Sequence, residues 1–147
     1  MNMNDILILY YSKNDSTKKM ARAIARGIES SNLASSSIRT VHSDTYKESD
    51  DILVTKEDLK KCSGMIIGSP THFGNMAAPL KAFFDSTTDE WFNNTLESKL
   101  GGVFTSTSSM HGGQETTLIS MMMPLIHHGM IIAGVPYSEK NLSSTIS

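Results

Sequence analysis

Short apolar runs alternate with stretches of helical spacing along this chain. Asp5 to Ser12 is a continuous apolar run closed by Ser-Lys-Asn-Asp-Ser-Thr, the pattern of a strand buried on both faces. From Thr17 to Ser31, Met20, Ala21, Ile24, Ala25 and Ile28 share one helical face, while Lys18, Lys19, Arg22, Arg26 and Glu29 lie largely elsewhere. Ser16 or Thr17 is the expected N-cap. Ser37 to His42 alternates weakly and predicts a second strand. Ser43 to Asp58 is polar and acidic, and Thr55-Lys56-Glu57-Asp58 opens a short helix to Lys61. Gly64 to Ser69 predicts a third strand, followed by a loop from Pro70 to Asn75 and a helix from Ala77 to Thr87, with Pro79 tolerated in its first turn. Gly101 to Thr105 is a fourth strand and Met130 to Val135 a fifth. Between them, Gln114 to His128 is a helix, kinked at Pro124 and closed by Gly129. Its apolar face, with Leu118, Ile119, Met122, Leu125 and Ile126, is expected to be core.

Strands alternating with helices predict an α/β fold with a parallel sheet and right-handed crossovers. Ligands of such sheets bind beyond the carboxyl ends of the strands. That rule selects Ser12–Thr17, Ser69–Asn75 and Ser106–Gly113, all rich in hydroxyl, amide and glycine groups.

With 147 residues, 39% hydrophobic and 19% charged, the chain fits one domain with a packed core, spanning residues 1–147. A net charge of −2 with scattered Lys and Arg gives no footprint for nucleic acid or an anionic membrane. The first apolar run is too short for a signal sequence or a membrane span. The single cysteine, Cys62, excludes an intrachain disulfide, suits a reducing cytoplasm, and is expected to be a buried small hydrophobe. Adjacent His127 and His128, without cysteine support, do not make a metal site, so no metal is expected.

The first selected loop, Ser12-Lys13-Asn14-Asp15-Ser16-Thr17, leads into a helix. A helix N-terminus with hydroxyl and amide donors suits a phosphate dianion. Neither G-x-x-x-x-G-K-[ST] nor G-x-G-x-x-G is present, so a mononucleotide fits better than ATP or a dinucleotide. The same residues also suit an ordinary capped turn. Asp15 brings a carboxylate close to any phosphate, or supplies a turn conformation that glycine would also satisfy. In the second loop, Phe73 could stack on an aromatic ring. In the third, Gly112-Gly113 would let backbone approach a ligand closely.

Taken together, Tyr10-Tyr11-Ser12 with Met20-Ala21-Arg22-Ala23, Gly68-Ser69-Pro70-Thr71-His72-Phe73-Gly74-Asn75-Met76, Gly112-Gly113-Gln114-Glu115 and His127-His128-Gly129-Met130 resemble WrbA-type NAD(P)H:quinone oxidoreductases of the flavodoxin-like superfamily. The resemblance covers nearly the whole chain. It implies an open parallel sheet in the order 2-1-3-4-5 with helices on both faces, bound FMN, NADH or NADPH as co-substrate, quinone as acceptor, and a homo-oligomer, dimer or tetramer. It places Ser12, Lys13, Asn14, Asp15, Ser16 and Thr17 around the phosphate. Pro70, Thr71, His72, Phe73 and Gly74 fall beside the isoalloxazine. Ser106, Thr107, Ser108, Ser109, His111, Gly112 and Gly113 fall against ring and ribityl chain. Trp91 matches a tryptophan bordering the substrate space across a subunit contact; as a residue alone it is equally a core or interface anchor. His127 matches a histidine near the flavin, although it ends a helix that begins at the ligand edge, and a kink or a neighbouring subunit must bring it back. Flavin chemistry requires no catalytic nucleophile.

The match departs at two places. Family members carry aromatic and glycine residues where this chain has Asn14 and Asp15, positions that bear on phosphate and nicotinamide contacts, and Asn14 also borders the substrate space. Family members also continue past the position of Ser147 with a glycine-rich stretch and a last helix, so the last helix is missing here. The resemblance then implies exposed apolar sheet surface on the face of the first helix, with oligomerisation, another cover or instability as its result. Two further classes stay open at this point: a one-electron carrier of the flavodoxin type, and a flavin-free scaffold or inactive truncated homologue.

Overall fold

The computed structural model describes residues 4–44 and 50–144. The middle of the polar acidic stretch, 45–49, lies outside the described residues. Among those described, five parallel strands form one sheet in the order β2-β1-β3-β4-β5: β1 Asn4–Tyr10, β2 Ala34–Thr40, β3 Gly64–Pro70, β4 Leu100–Ser106 and β5 Ile131–Ile132. The helices are α1 Ser16–Ser30, α2 Lys56–Lys61, α3 Ala78–Asp85, α4 Thr88–Phe92, α5 Gln114–His127 and α6 Asn141–Ser144. This is the flavodoxin-like arrangement, with the order of winding reversing between β1 and β3.

Alternation along the strands sorts the core into two layers. Leu7, Leu9, Met65 and Ile67 pack with Leu80, Met121 and Leu125 on the α3–α5 face. Ile8, Tyr10 and Phe104 pack with Ala21 and Ala25 of α1 on the other. Small residues on α1 let that helix lie close to the sheet. On the α1 face near the β4–β5 edge, Ile66 is only half-buried, and Leu100 and Ile131 are each 56% exposed.

Several elements differ from their sequence-based bounds for identifiable reasons. β2 begins at Ala34, earlier than Ser37, because the Asp5 carboxylate accepts hydrogen bonds from the Ser35 and Ser37 hydroxyls at 3.1 and 3.0 Å, which satisfies a serine run on an edge strand. The N-cap of α1 is Asp15, not Ser16 or Thr17; it sits in the left-handed region at φ 62° and makes no side-chain cap. Ile119 and Ile126 of α5 turn outward at 56% and 52% exposure, and Met121 takes the core position between Thr117 and Leu125. β5 keeps only two residues before Gly134 and Pro136. The short helix α4 has too few residues to show periodicity. Thr55 caps α2 with a full capping box. Cys62 is buried, its thiol donating to the Leu59 carbonyl at 3.4 Å.

Candidate functional site: a cavity at three strand ends

β1, β3 and β4 end side by side, so the loops that follow them converge. Backbone pairing continues past the strands: Tyr11 N–H donates to Gly68 O at 3.0 Å and Thr71 N–H to Ser106 O at 2.9 Å. Thr17 Oγ1 and Ser106 Oγ, 89 positions apart, lie 2.9 Å from each other and tie the first loop to the third. Thr105 Oγ1 donates to Ser69 O at 2.7 Å. The three loops enclose a cavity of about 200 Å³ lined by Ser12, Lys13, Asn14, Ser16, Thr17, Pro70, Thr71, His72, Ser106, Thr107 and Ser108.

The floor and walls of this cavity are polar. Ser12 Oγ is buried and has no hydrogen-bond partner among the described residues, an arrangement that costs free energy unless a ligand completes it. The first turn of α1 opens onto the same space with its N–H groups unpaired by any side-chain cap. His72 is half-buried and meets the Tyr11 ring edge-on at 6.4 Å between centroids.

The second loop is a two-residue hairpin. His72 N–H donates to Asn75 O at 2.9 Å and Asn75 N–H to His72 O at 3.0 Å, and the two residues between, Phe73 and Gly74, have φ of 52° and 73°. Such turns favour Asn-Gly, so Phe73 is held in an unfavourable backbone region with its ring fully exposed. The hairpin is fastened below: Met76 N–H donates to Ser120 Oγ at 3.0 Å, and Ala77 N–H to Ser69 Oγ at 2.8 Å. Gly113, at φ 91°, presses against it, since a Cβ there would lie 3.0 Å from Gly74 Cα.

Of the residues that the sequence placed at the ligand, eleven are those lining the cavity. Asp15 flanks it, its side chain exposed. Phe73, Gly74, Ser109, His111, Gly112 and Gly113 belong to the same loops but fall outside the lining. Trp91 and His127 are elsewhere. They line a second cavity of about 560 Å³ between α3, α4 and α5, shared with Phe84, Met123 and His128. Asn75 and Met76 also reach that cavity, so the hairpin stands between the two. Ser69 opens the second selected segment but was given no role, and Thr105 and Ser120 were not among the expected site residues; the signal of each was a hydroxyl inside an otherwise apolar strand end or helix face.

A parallel sheet whose winding order reverses beside a hydroxyl-lined cavity and a helix N-terminus is the flavodoxin-like fold, whose ligands bind beyond the strand ends at that switch point. A profile of the NADPH-dependent FMN reductase family matches residues 5–140, and the chain belongs to that family. It is 40% identical over 149 residues to a protein of Chromohalobacter salexigens named NAD(P)H dehydrogenase (quinone), covering 92% of this chain and 73% of that one. A protein of the same name from Paracoccus denitrificans is 42% identical over 148 residues, covering 94% and 71%. Among solved structures, a flavodoxin, WrbA-like protein from Agrobacterium tumefaciens superposes with a TM-score of 0.73 at 23% identity, covering 96% of this chain and 89% of that one.

Proposed function

We propose that this chain is an FMN-dependent oxidoreductase that passes two electrons from NADH or NADPH to quinones. The observation that carries the reading is the unpartnered, buried Ser12 hydroxyl in a cavity opened by the N-terminus of α1. Those groups are hydrogen-bond donors and fit a phosphate monoester. The relatives' name, NAD(P)H dehydrogenase (quinone), supports the reaction class.

In this reading the first-turn N–H groups of α1, with Ser12, Ser16 and Thr17, hold the phosphate, and Lys13 adds positive charge. Ser106, Thr107 and Ser108 offer hydroxyls to the ribityl chain. Pro70, Thr71 and His72 flank the ring, and the exposed Phe73 covers it from the hairpin tip. FMN held there would supply two-electron hydride chemistry between a nicotinamide and a quinone. The protein binds, orients and shields; no side chain acts as a nucleophile. Trp91 borders the quinone space. Because it lies away from its own cavity, a neighbouring copy brings it there, and we take residues 1–147 to act as a single domain within a homo-oligomer. Exposed Trp91, Phe92, Met123 and Ile126 supply apolar surface for that contact. A reducing, cytoplasmic setting accords with the single, buried thiol. Among the described residues no helix is long and apolar enough to cross a membrane.

The test is an FMN titration followed by flavin absorbance, then steady-state oxidation of NADH and NADPH with a quinone acceptor. Saturable binding and a ping-pong pattern are expected. Failure to bind FMN at millimolar concentration overturns the reading. Binding without reduction by either nicotinamide assigns a one-electron carrier instead.

A further inference from the structure

Two adjacent residues at the end of α5 grip the two ends of α4. The His127 carbonyl accepts the Trp91 indole N–H at 2.8 Å. The His128 ring is buried, with Nε2 2.8 Å from Thr87 Oγ1. Thr87 is the residue preceding α4, and its carbonyl accepts the Trp91 backbone N–H at 3.0 Å. The Thr87 hydroxyl has one proton, which it donates to Phe84 O at 2.7 Å. His128 Nε2 therefore carries the hydrogen and donates it to Thr87. Nδ1 is left as a bare lone pair, buried without a partner among the described residues.

We propose that His128 is a positioning residue for Trp91: its neutral, Nε2-protonated ring ties α4 to the end of α5 and fixes the indole in the wall of the larger cavity, and charging the ring releases it. A second proton can go only to Nδ1, where no acceptor waits, so an imidazolium must leave its seat to be solvated. The titratable and charged groups that face the ring are Lys56 from α2, Glu90 from α4 and His127 from its own helix end. Lys81 and Asp85 of α3 line the same cavity and are paired with each other. Burial is the largest influence and disfavours the charged ring; Glu90 opposes it, and Lys56 and His127 reinforce it. The link between α4 and α5 stands whatever the reaction; its consequence for quinone binding rests on the function proposed above.

Trp91 is the only tryptophan, so its fluorescence reports the grip directly. In the wild type the emission is expected to move to longer wavelength as the pH falls below about 6.5. His128→Gln keeps a donor toward Thr87 but cannot charge, and should hold the short-wavelength emission at every pH. Thr87→Val and His128→Ala should show the long-wavelength emission throughout, and His127→Gln should retain the transition. Far-UV circular dichroism checks that each variant is folded, and should His128→Ala fail that check, His128→Gln and Thr87→Val decide the matter. A flat wild-type profile, or a transition undiminished in His128→Gln, overturns the proposal. In the quinone assay His128→Ala should raise KM several-fold with a smaller change in kcat. A shifted emission with unchanged KM would keep the positioning role and remove Trp91 from the substrate site.

Discussion

The ring of Phe104 covers Gly68, its partner in register across the β3–β4 ladder, and fills the space that a Cβ on Gly68 would need. Gly68 lies two residues before Pro70, directly under the ligand loops, so the missing side chain is a packing requirement of the site's floor. Gly68→Ala should force the Phe104 ring out of place and cost about 1–3 kcal/mol. Thermal unfolding followed by circular dichroism checks this. Gly68→Ala combined with Phe104→Leu should recover part of the loss, and an unaltered melting temperature in the single variant would contradict the packing.

Ser12 offers a test in which stability and affinity separate. Its buried, unpartnered hydroxyl burdens the ligand-free protein by about 1–3 kcal/mol. Ser12→Ala should leave the free protein equally or more stable in urea titrations while weakening FMN about tenfold, which is ~1.4 kcal/mol. Loss of both together would mark Ser12 as an ordinary structural residue.

Asp15 presents a different conflict. Its left-handed backbone, φ 62°, costs roughly 1 kcal/mol for a residue with a side chain, while its carboxylate favours the N-terminus of α1 by about 0.3–1 kcal/mol. Asp15→Gly removes both and should leave stability nearly unchanged. It also removes a negative charge beside the phosphate position, and FMN should bind about fivefold tighter, ~1 kcal/mol, with the gain shrinking at high salt. Asp15→Ala should bind FMN similarly but unfold more easily. Weaker FMN binding by Asp15→Gly would mean that the carboxylate aids the site.

Acid should weaken the fold in two stages. Burial holds His128 below the ordinary value of 6.5. The unfolded chain then takes up a proton that the folded one refuses, so stability is level above about pH 6.5 and falls as the pH drops below it. For Asp58, burial pushes upward. The Thr55 backbone N–H and hydroxyl and the Arg39 guanidinium outweigh it and hold the carboxyl below 3.8. That contribution is present above pH 3.8 and is lost as the pH falls through the lower folded value. Urea unfolding across pH should lose its upper stage in His128→Gln. Asp58→Ala should lose the lower stage and about 1 kcal/mol at neutral pH, through the broken capping box.

How far the sequence discloses this molecule depends on the range of the interactions. β1 and β3 were legible because both faces of each are largely buried, leaving apolar runs, whereas β4, buried only at Gly101 and Phe104, was legible as a short segment between polar loops. The three ligand loops were legible because parallel strands deliver their ends to one edge. Asp15 as N-cap was not, since hydroxyl residues on either side of it match the capping preference better, and the left-handed turn is set by where the chain must go next. Nor was the larger cavity: α4 is five residues long, and the seating of Trp91 on the His127 carbonyl joins positions that no periodicity connects. The sequence pattern placed Met122 on the core face of α5, and Met121 takes that position instead, because the phase of α5 is set by its packing on β4.

The close approach of Gly113 to Gly74, where an added Cβ would meet backbone at 3.0 Å, makes the hairpin and the start of α5 one packing unit. A chimera whose crossover point falls between those two segments would inherit mismatched halves even if each parent were sound. Directed-evolution libraries aimed at a new acceptor would therefore do better to diversify both segments jointly than to saturate either one alone.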